Sequence, residues 1–304
     1  MLKLTATKQT SQQRSLKMNT LTKLLAATMT LSAQAMAATP LTLDVYNADG
    51  NSFHVNATVV YGETEAMVVD TGFTKADALR IGAKVLDSGK TLKTIFISQA
   101  DPDYYFGAEV LKQMFPQAEV IATPGVKAKI EQKLQGKLDF WAPKMGANAP
   151  VKPVLPTAYQ GKTLEIDGQT IEIRGTEGEL KHRPYLWIPA NAAILGNVAV
   201  YGNVHLWMAD AQTDSERKAW AEQLDEMAAL KPKVVIPGHM TPGTAMDSSA
   251  IKFSEKYLAD FAKAKASSKN SAQLIEKMSK IYPDAGLPMA LEIGAKVHTG
   301  EMKW

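Results

Sequence analysis

The chain has 304 residues, 45% of them hydrophobic and 21% charged, and no cysteine. This composition suits a packed globular chain and is too apolar for a disordered one, and the missing cysteine excludes a disulfide framework, a thiolate zinc site and a cysteine nucleophile together. The formal net charge of +3 resides in the first 37 residues, where Lys3, Lys8, Arg14, Lys17 and Lys23 meet no acidic residue, so the remainder is slightly acidic and gives no electrostatic case for nucleic acid.

After Lys23 an uncharged apolar run continues to Ala37 and ends in Ala35-Met36-Ala37. This is the three-part layout of a secretory signal peptide. The run is short and rich in Ala, Thr and Ser for a bilayer span, which favours cleavage after Ala37 over an uncleaved anchor. The expectation is a periplasmic or secreted protein with no stable membrane anchor once cleaved; Met1 and Met18 both qualify as the start. Residues 38–304 show no long linker or repeat and read as one domain.

Strands are expected over 41–46 and 53–61, joined by a hairpin at Asp49-Gly50, because glycine accepts positive φ. A short buried strand over 65–69 turns through Asp70-Thr71-Gly72 into a helix near 76–86. A second buried strand covers 92–98. A helix over 106–114 ends before Pro116, followed by a strand at 119–122 and a helix over 126–135. The stretch 137–152, with Trp141, is expected as a pocket-shaping loop. Strands at 163–166 and 169–173 flank Asp167-Gly168, a strong two-residue hairpin signal. Short apolar strands at 185–188 and 193–195 precede a helix over 215–230, with Trp220, Leu224 and Met227 inward, and a strand at 234–236. Amphipathic helices over 249–266, 271–281 and 289–297 close the chain. Strands followed by strand–helix units, twice over, imply an α/β fold: two mixed sheets packed face to face with helices outside, an αββα sandwich.

The chemistry concentrates after the second buried strand, in Gln99-Ala100-Asp101-Pro102-Asp103-Tyr104-Tyr105-Phe106-Gly107. Three metal-capable side chains within five residues lie on a strand-to-helix turn, where a sheet holds the backbone and the loop aims the side chains. The segment resembles the His-x-His-x-Asp-His motif of the metallo-β-lactamase superfamily. Gln99 and Asp101 stand for the first two histidines, Asp103 is retained, and Tyr104 replaces the last. Val68-Val69-Asp70-Thr71-Gly72 is similar to that family's early strand ending in Asp-x-Gly. Ile236-Pro237-Gly238-His239 is similar to its late strand ending in a metal-binding histidine.

The resemblance implies one or two zinc ions that lower the pKa of a bound water to about 7 and make hydroxide at neutral pH. Its first metal pocket falls on Gln99, Asp101 and either Glu179 or His182. Its second falls on Asp103, Tyr104 and His239, with Asp103 in the catalytic role. Asn197 stands where the family's bridging aspartate is expected. Tyr104, Tyr105, Glu179, His182, Asn197 and His205 are the implied substrate-binding residues. Amide and carboxylate oxygens suit harder cations than zinc, and tyrosine ligates well only as phenolate, with an ordinary pKa of about 10. The expectation is therefore one divalent cation, zinc or a harder metal such as manganese, held by Asp103 and His239 with help from Asp101 and Gln99, or no metal at all. Two functions follow. One is a hydrolase acting on a small lactone, lactam or ester-like substrate through metal-activated water. The other is a metal-free pseudoenzyme, a small-molecule-binding or interaction protein on the same scaffold. In both the partner sought is a small molecule, and oligomeric state stays open.

Simpler roles compete for the same residues. Asp101 and Asp103 also qualify as helix caps, Tyr104, Tyr105 and Phe106 as core packing, and His205 as a packing residue beside Trp207. Asp70 is expected to pin its loop. No Gly-x-Ser-x-Gly elbow and no Gly-x-Gly-x-x-Gly fingerprint occurs, which argues against a serine hydrolase and a dinucleotide site.

Overall fold

The computed structural model describes residues 39–304, and no helix among them is long and apolar enough to cross a membrane. The expected signal peptide and its cleavage site lie outside the described residues. In chain order the elements are β1 (Thr42–Asn47), β2 (Asn56–Tyr61), β3 (Glu65–Val69), α1 (Lys75–Ser88), β4 (Thr91–Ile97), α2 (Pro102–Tyr105), α3 (Ala108–Met114), β5 (Glu119–Ala122), α4 (Pro124–Met145), β6 (Thr157–Ala158), β7 (Thr163–Ile166), β8 (Gln169–Arg174), β9 (Tyr185–Ile188), β10 (Ala193–Leu195), β11 (Tyr201–Gly202), α5 (Asp214–Ala229), β12 (Val234–Val235), β13 (His239–Met240), α6 (Ser249–Ala266), α7 (Ser271–Ile281) and α8 (Pro288–His298).

The first sheet has the order β1-β2-β3-β4-β5-β6 and the second β12-β10-β9-β8-β7, with β11 and β13 forming a short separate pair. In the first sheet β3, β4, β5 and β6 run parallel, so each connection must cross over through a helix. β3 and the end of β4 are buried on both faces, which is why Ala66–Val69 and Ile95–Ile97 read as continuous apolar runs rather than alternating ones. Within them the period of two still sorts the side chains. Met67, Val69 and Phe96 pack against Ile171, Ile173, Leu186 and Leu195 of the second sheet. Ala66, Val68, Ile95 and Ile97 point the other way, toward Ile81 and Val85 of α1 and Leu111 of α3. The expected αββα sandwich is the observed architecture.

Three local readings are corrected. The hairpin at Asp49-Gly50 does join β1 to β2, but its connection is longer than expected: Asn47 pairs with Asn56, and Asp49 caps one turn of 3-10 helix, Gly50–Ser52. Phe53 and His54 then adopt positive φ, 58° and 55°, which carries the Phe53 ring inward to within 5.0 Å of Phe73 and 5.3 Å of Trp141. The strand therefore starts at Asn56 rather than 53. The helix expected over 106–114 divides into α2 and α3, because Pro102 supplies the fixed φ of a first turn four residues earlier than expected. The helix expected over 126–135 continues to Met145, absorbing much of the expected loop 137–152; Leu134, Leu138, Trp141 and Met145 recur at helical spacing and pack on the core. Asp167-Gly168 does form the tight hairpin, with both residues at positive φ, 48° and 76°.

The start of α1 anchors the early loop. Thr74 and Asp77 form a reciprocal capping box, and Asp77 also accepts hydrogen bonds from Tyr46 Oη and Ser52 Oγ, both 2.6 Å. Burial pushes its carboxyl up, but the hydroxyls of Ser52, Tyr46 and Thr74 win and hold it below the usual range. Asp77→Ala removes the cap and strands those donors, so urea denaturation at neutral pH is expected to show a loss of about 2 kcal/mol. An unchanged midpoint would mean the network contributes nothing.

Candidate functional site

The site forms where strand ends from both sheets meet, the usual place for ligands in α/β architectures. At the end of β3, Asp70 takes a positive φ of 64°. Its carboxyl accepts from the Ser98 backbone N–H (2.8 Å) and from Ser98 Oγ (2.7 Å), tying the end of β3 to that of β4. Thr71 N then donates to the Tyr104 carbonyl at 2.8 Å, so the two turns are stitched together. Asp70 pins the loop, as expected of it.

Pro102 opens α2, and Asp101 at its N-cap makes no side-chain cap bond. The capping role weighed for Asp101 is thereby set aside, and its carboxyl lines the cleft with Asp103. From the far end of the domain, β13 brings His239 to meet them: His239 Nε2 lies 3.6 Å from Asp103 Oδ2. His239 Nδ1 is 2.9 Å from the Phe53 carbonyl. A carbonyl only accepts, so Nδ1 carries the proton and Nε2 turns its lone pair toward Asp103. The imidazole stacks on Tyr201, with ring centroids 5.2 Å apart, and meets Tyr104 edge-on. Burial lowers His239 to about 4. Burial, with Asp101 adding to it, raises Asp103 well above the usual carboxylate range. Both shifts disfavour a charged pair.

Gly238 shows how tightly these turns converge: a Cβ there would lie 2.2 Å from the Asn197 carbonyl oxygen. Only glycine lets β13 approach this closely.

The cleft above Asp103 and His239 is narrow and open to solvent, with a cavity volume of about 40 Å³. Its walls are largely aromatic: Phe53, Trp141, Tyr201, Trp207 and Trp304. A second, larger chamber of about 370 Å³ adjoins it and shares Asp101, Arg183, Asp210 and Trp304. Lys137 of α4 reaches Asp101, Nζ to Oδ1 3.8 Å. Lys133, one turn earlier, reaches Asp210 at 3.3 Å, and Trp304 Nε1 donates to the same carboxylate at 3.0 Å. Burial raises Asp101, with Asp210 adding to it while Lys137 and Arg183 oppose. Burial pushes Asp210 up too, but Arg183, Lys133 and Lys137 hold it below the usual range.

The ten site residues anticipated from sequence separate into groups. Asp101, Asp103 and His239 line the main cleft, while Gln99, Asp101 and His182 line the adjoining chamber. Tyr104 and Asn197 face a smaller cavity behind His239. Asn197 there spends its amide on the Ile236 carbonyl and the Val200 N–H, holding the strand-end loop in place. Three assignments to the substrate site are corrected. Glu179 is exposed and accepts from Ser215 Oγ, because its loop turns through Gly175 and Gly178 at positive φ. Tyr105 is a core residue set edge-on against Phe106. His205 packs behind the wall, 2.9 Å from Tyr257 Oη, where burial lowers it to about 4.

The donor set does not fit the metal that the resemblance implies. Tetrahedral zinc needs four donors, at least three of them from protein. No group of three His, Cys, Asp or Glu side chains converges among the described residues. Gln99 is pinned through Nε2 to the Pro184 carbonyl at 2.9 Å; its buried Oε1 has no partner but is one neutral, weak donor. Tyr104 Oη donates to the Asn197 carbonyl, and burial raises its pKa well above the ordinary value, away from the phenolate a metal needs. Lys137 already stands beside Asp101. Asp103 and His239 are the two remaining donors.

Arg183, Lys137, Asp210, Trp207 and Trp304 were not anticipated. No local motif marks them: they come from four separate segments, with only Trp207 and Asp210 close in sequence, and only the fold assembles them.

A family model described as the metallo-beta-lactamase superfamily matches residues 50–239. Among solved structures the chain is similar to a metallo-beta-lactamase family protein from Thermus thermophilus, at 18% identity and a TM-score of 0.58, covering 83% of this chain and 91% of that one. It is also similar to a metallo-beta-lactamase from Pontibacter korlensis, at 16% identity and a TM-score of 0.50, covering 72% and 94%. At these identities the likeness is one of fold. No curated protein sequence matches.

Proposed function

This chain belongs to the metallo-beta-lactamase superfamily, and from that premise we propose that it uses the superfamily's hydrolase scaffold to bind a small organic molecule without the usual metal ions. Superfamily members typically hold divalent metals at this end of the fold. The observation that carries the reading is the Lys137 ammonium 3.8 Å from Asp101: a side-chain cation occupies the neighbourhood of the very carboxylate that stands in the first metal pocket. The aromatic lining of the cleft and the adjoining chamber of about 370 Å³ support a small organic occupant.

Metal analysis tests this directly. Protein purified with and without chelator, then offered zinc or manganese, is expected to hold well under one ion per chain and to melt at the same temperature throughout, since an ion bound tightly to the native state must raise the melting point. A stoichiometric ion, lost on Asp103→Ala, would overturn the proposal and return the chain to hydrolysis of a lactone, lactam or ester-like substrate through metal-activated water.

A further inference from the structure

Arg183 is more than nine-tenths buried, with 8% of its surface exposed, and lines both chambers. Among the described residues no carboxylate lies within salt-bridge distance of its guanidinium and no acceptor is hydrogen-bonded to it, although Lys133 and Lys137 on the same walls each have an acidic partner. It lies 5.5 Å from the Trp220 ring and acts on Asp210 through space, but a cation–π contact and a carboxylate beyond salt-bridge distance offset only part of the cost of removing such a group from water. Nearby, Gln223 holds the Arg183 carbonyl at 2.8 Å, which fixes the backbone that carries the side chain. A buried, rigidly mounted guanidinium with open donors is a receptor for a planar anion, which it engages through two parallel hydrogen bonds.

We propose that Arg183 binds the carboxylate of an amphipathic organic acid, whose apolar ring system occupies the adjoining chamber of about 370 Å³ and lies against Trp304 at the mouth of the main cleft. The inference rests on the metal-free binding cleft proposed above and names its ligand class. The acidic residues on the walls, Asp101, Asp103 and Asp210, disfavour a ligand of higher negative charge. Lys133 pairs with Asp210 and Lys137 with Asp101, so the guanidinium of Arg183 is the buried wall cation with no direct salt bridge or hydrogen bond among the described residues. A phosphate dianion brings a second negative charge toward Asp101 and Asp210 and binds less well. The aromatic side of the assignment follows from geometry too. Trp207 and Trp304 stand edge to face, with centroids 5.3 Å apart, and Trp141 lines the same cleft, so a flat ring reaching its mouth meets aromatic surface.

The test uses three probes on chelator-treated full-length protein, followed by tryptophan fluorescence and calorimetry: 2-naphthoate, 2-naphthyl phosphate and the uncharged 2-naphthalenemethanol. Naphthoate is expected to bind at least tenfold more tightly than the alcohol, and naphthyl phosphate more weakly than naphthoate. Arg183→Met should reduce naphthoate binding at least tenfold and leave alcohol binding unchanged, which also shows that the variant folds. Arg183→Lys, which keeps the charge and loses the planar fork, should fall between. Equal binding of naphthoate and alcohol, or naphthoate binding indifferent to Arg183→Met, would overturn the anion receptor while leaving the binding cleft intact. Failure of every probe to bind would overturn the cleft reading and this inference with it.

Discussion

Replacing Gly107 with alanine is expected to destabilise the protein by about 3 kcal/mol or more, lowering its melting temperature by about 6–12 °C. The backbone of Gly107 has ordinary dihedrals, φ −71°, so conformational strain is not the cause. A Cβ at this position would sit 2.0 Å from the Thr71 carbonyl oxygen and 2.8 Å from Ala78 Cβ. Neither turn is free to retreat. Gly107 N donates to the Gly72 carbonyl, and Thr71 N and Oγ1 both donate to the Tyr104 carbonyl, so separating the turns breaks the stitching that holds α2, and Asp103 on it, at the end of β4. Overpacking of backbone against backbone lies at the upper end of such costs. Gly136→Ala is the matched control: nothing lies within 4 Å of its Cβ, and it sits inside α4, where alanine is the better helix former by about 1 kcal/mol. Thermal melts of the two variants should move in opposite directions. A Gly107→Ala protein that melts with the wild type would show that the turns are not clamped.

Asp70→Asn is expected to stabilise the protein at pH 8 and to have little effect at pH 4. Burial raises the Asp70 carboxyl from its ordinary value of 3.8 to about 7, against two Ser98 donors that pull it down. The folded state therefore binds one more proton than the unfolded state between those two pH values. The stability that this proton supplies is complete below about pH 4 and is lost as pH rises through 7. The interval corresponds to about 4 kcal/mol. Asparagine keeps both contacts, accepting from Ser98 N and donating to Ser98 Oγ, and tolerates the positive φ of 64°, but never acquires the buried charge. The difference in unfolding free energy between variant and wild type, measured in urea from pH 4 to pH 8, should grow in favour of the variant by about 2–4 kcal/mol. A difference that stays flat with pH would place the Asp70 titration outside this window.

Much of the site's frame was legible because it is written in local chemistry. A strand ending in Asp-Thr-Gly, another ending in Gln-x-Asp-x-Asp and a third ending in Pro-Gly-His are short-range patterns, and the apolar runs before them identify buried parallel strands. That is why the approach of Asp103 and His239, 3.6 Å apart in space, was open to expectation from segments separated by most of the domain. Glu179 and His182 show where counting along the chain failed. Three residues apart on one loop, they face exposed Ser215 and the adjoining chamber respectively, because glycines at positive φ redirect the chain between the ends of the loop.

Amino-acid order alone determined the two-sheet architecture and its βαβ crossovers, since periodicity of apolar residues and the chemistry of turns act over a few residues at a time. It also determined that three of the superfamily's histidine positions carry other side chains. Tertiary structure alone decided what fills the resulting site. Lys137 reaches Asp101 only because α4 runs on to Met145, Trp304 walls the cleft from beyond the last helix, and Arg183 makes no direct salt bridge among the described residues while Lys133 and Lys137 from another segment engage Asp210 and Asp101. Charge matching in a buried site depends on distances between side chains far apart in the chain, and those distances do not exist until the sheets have packed.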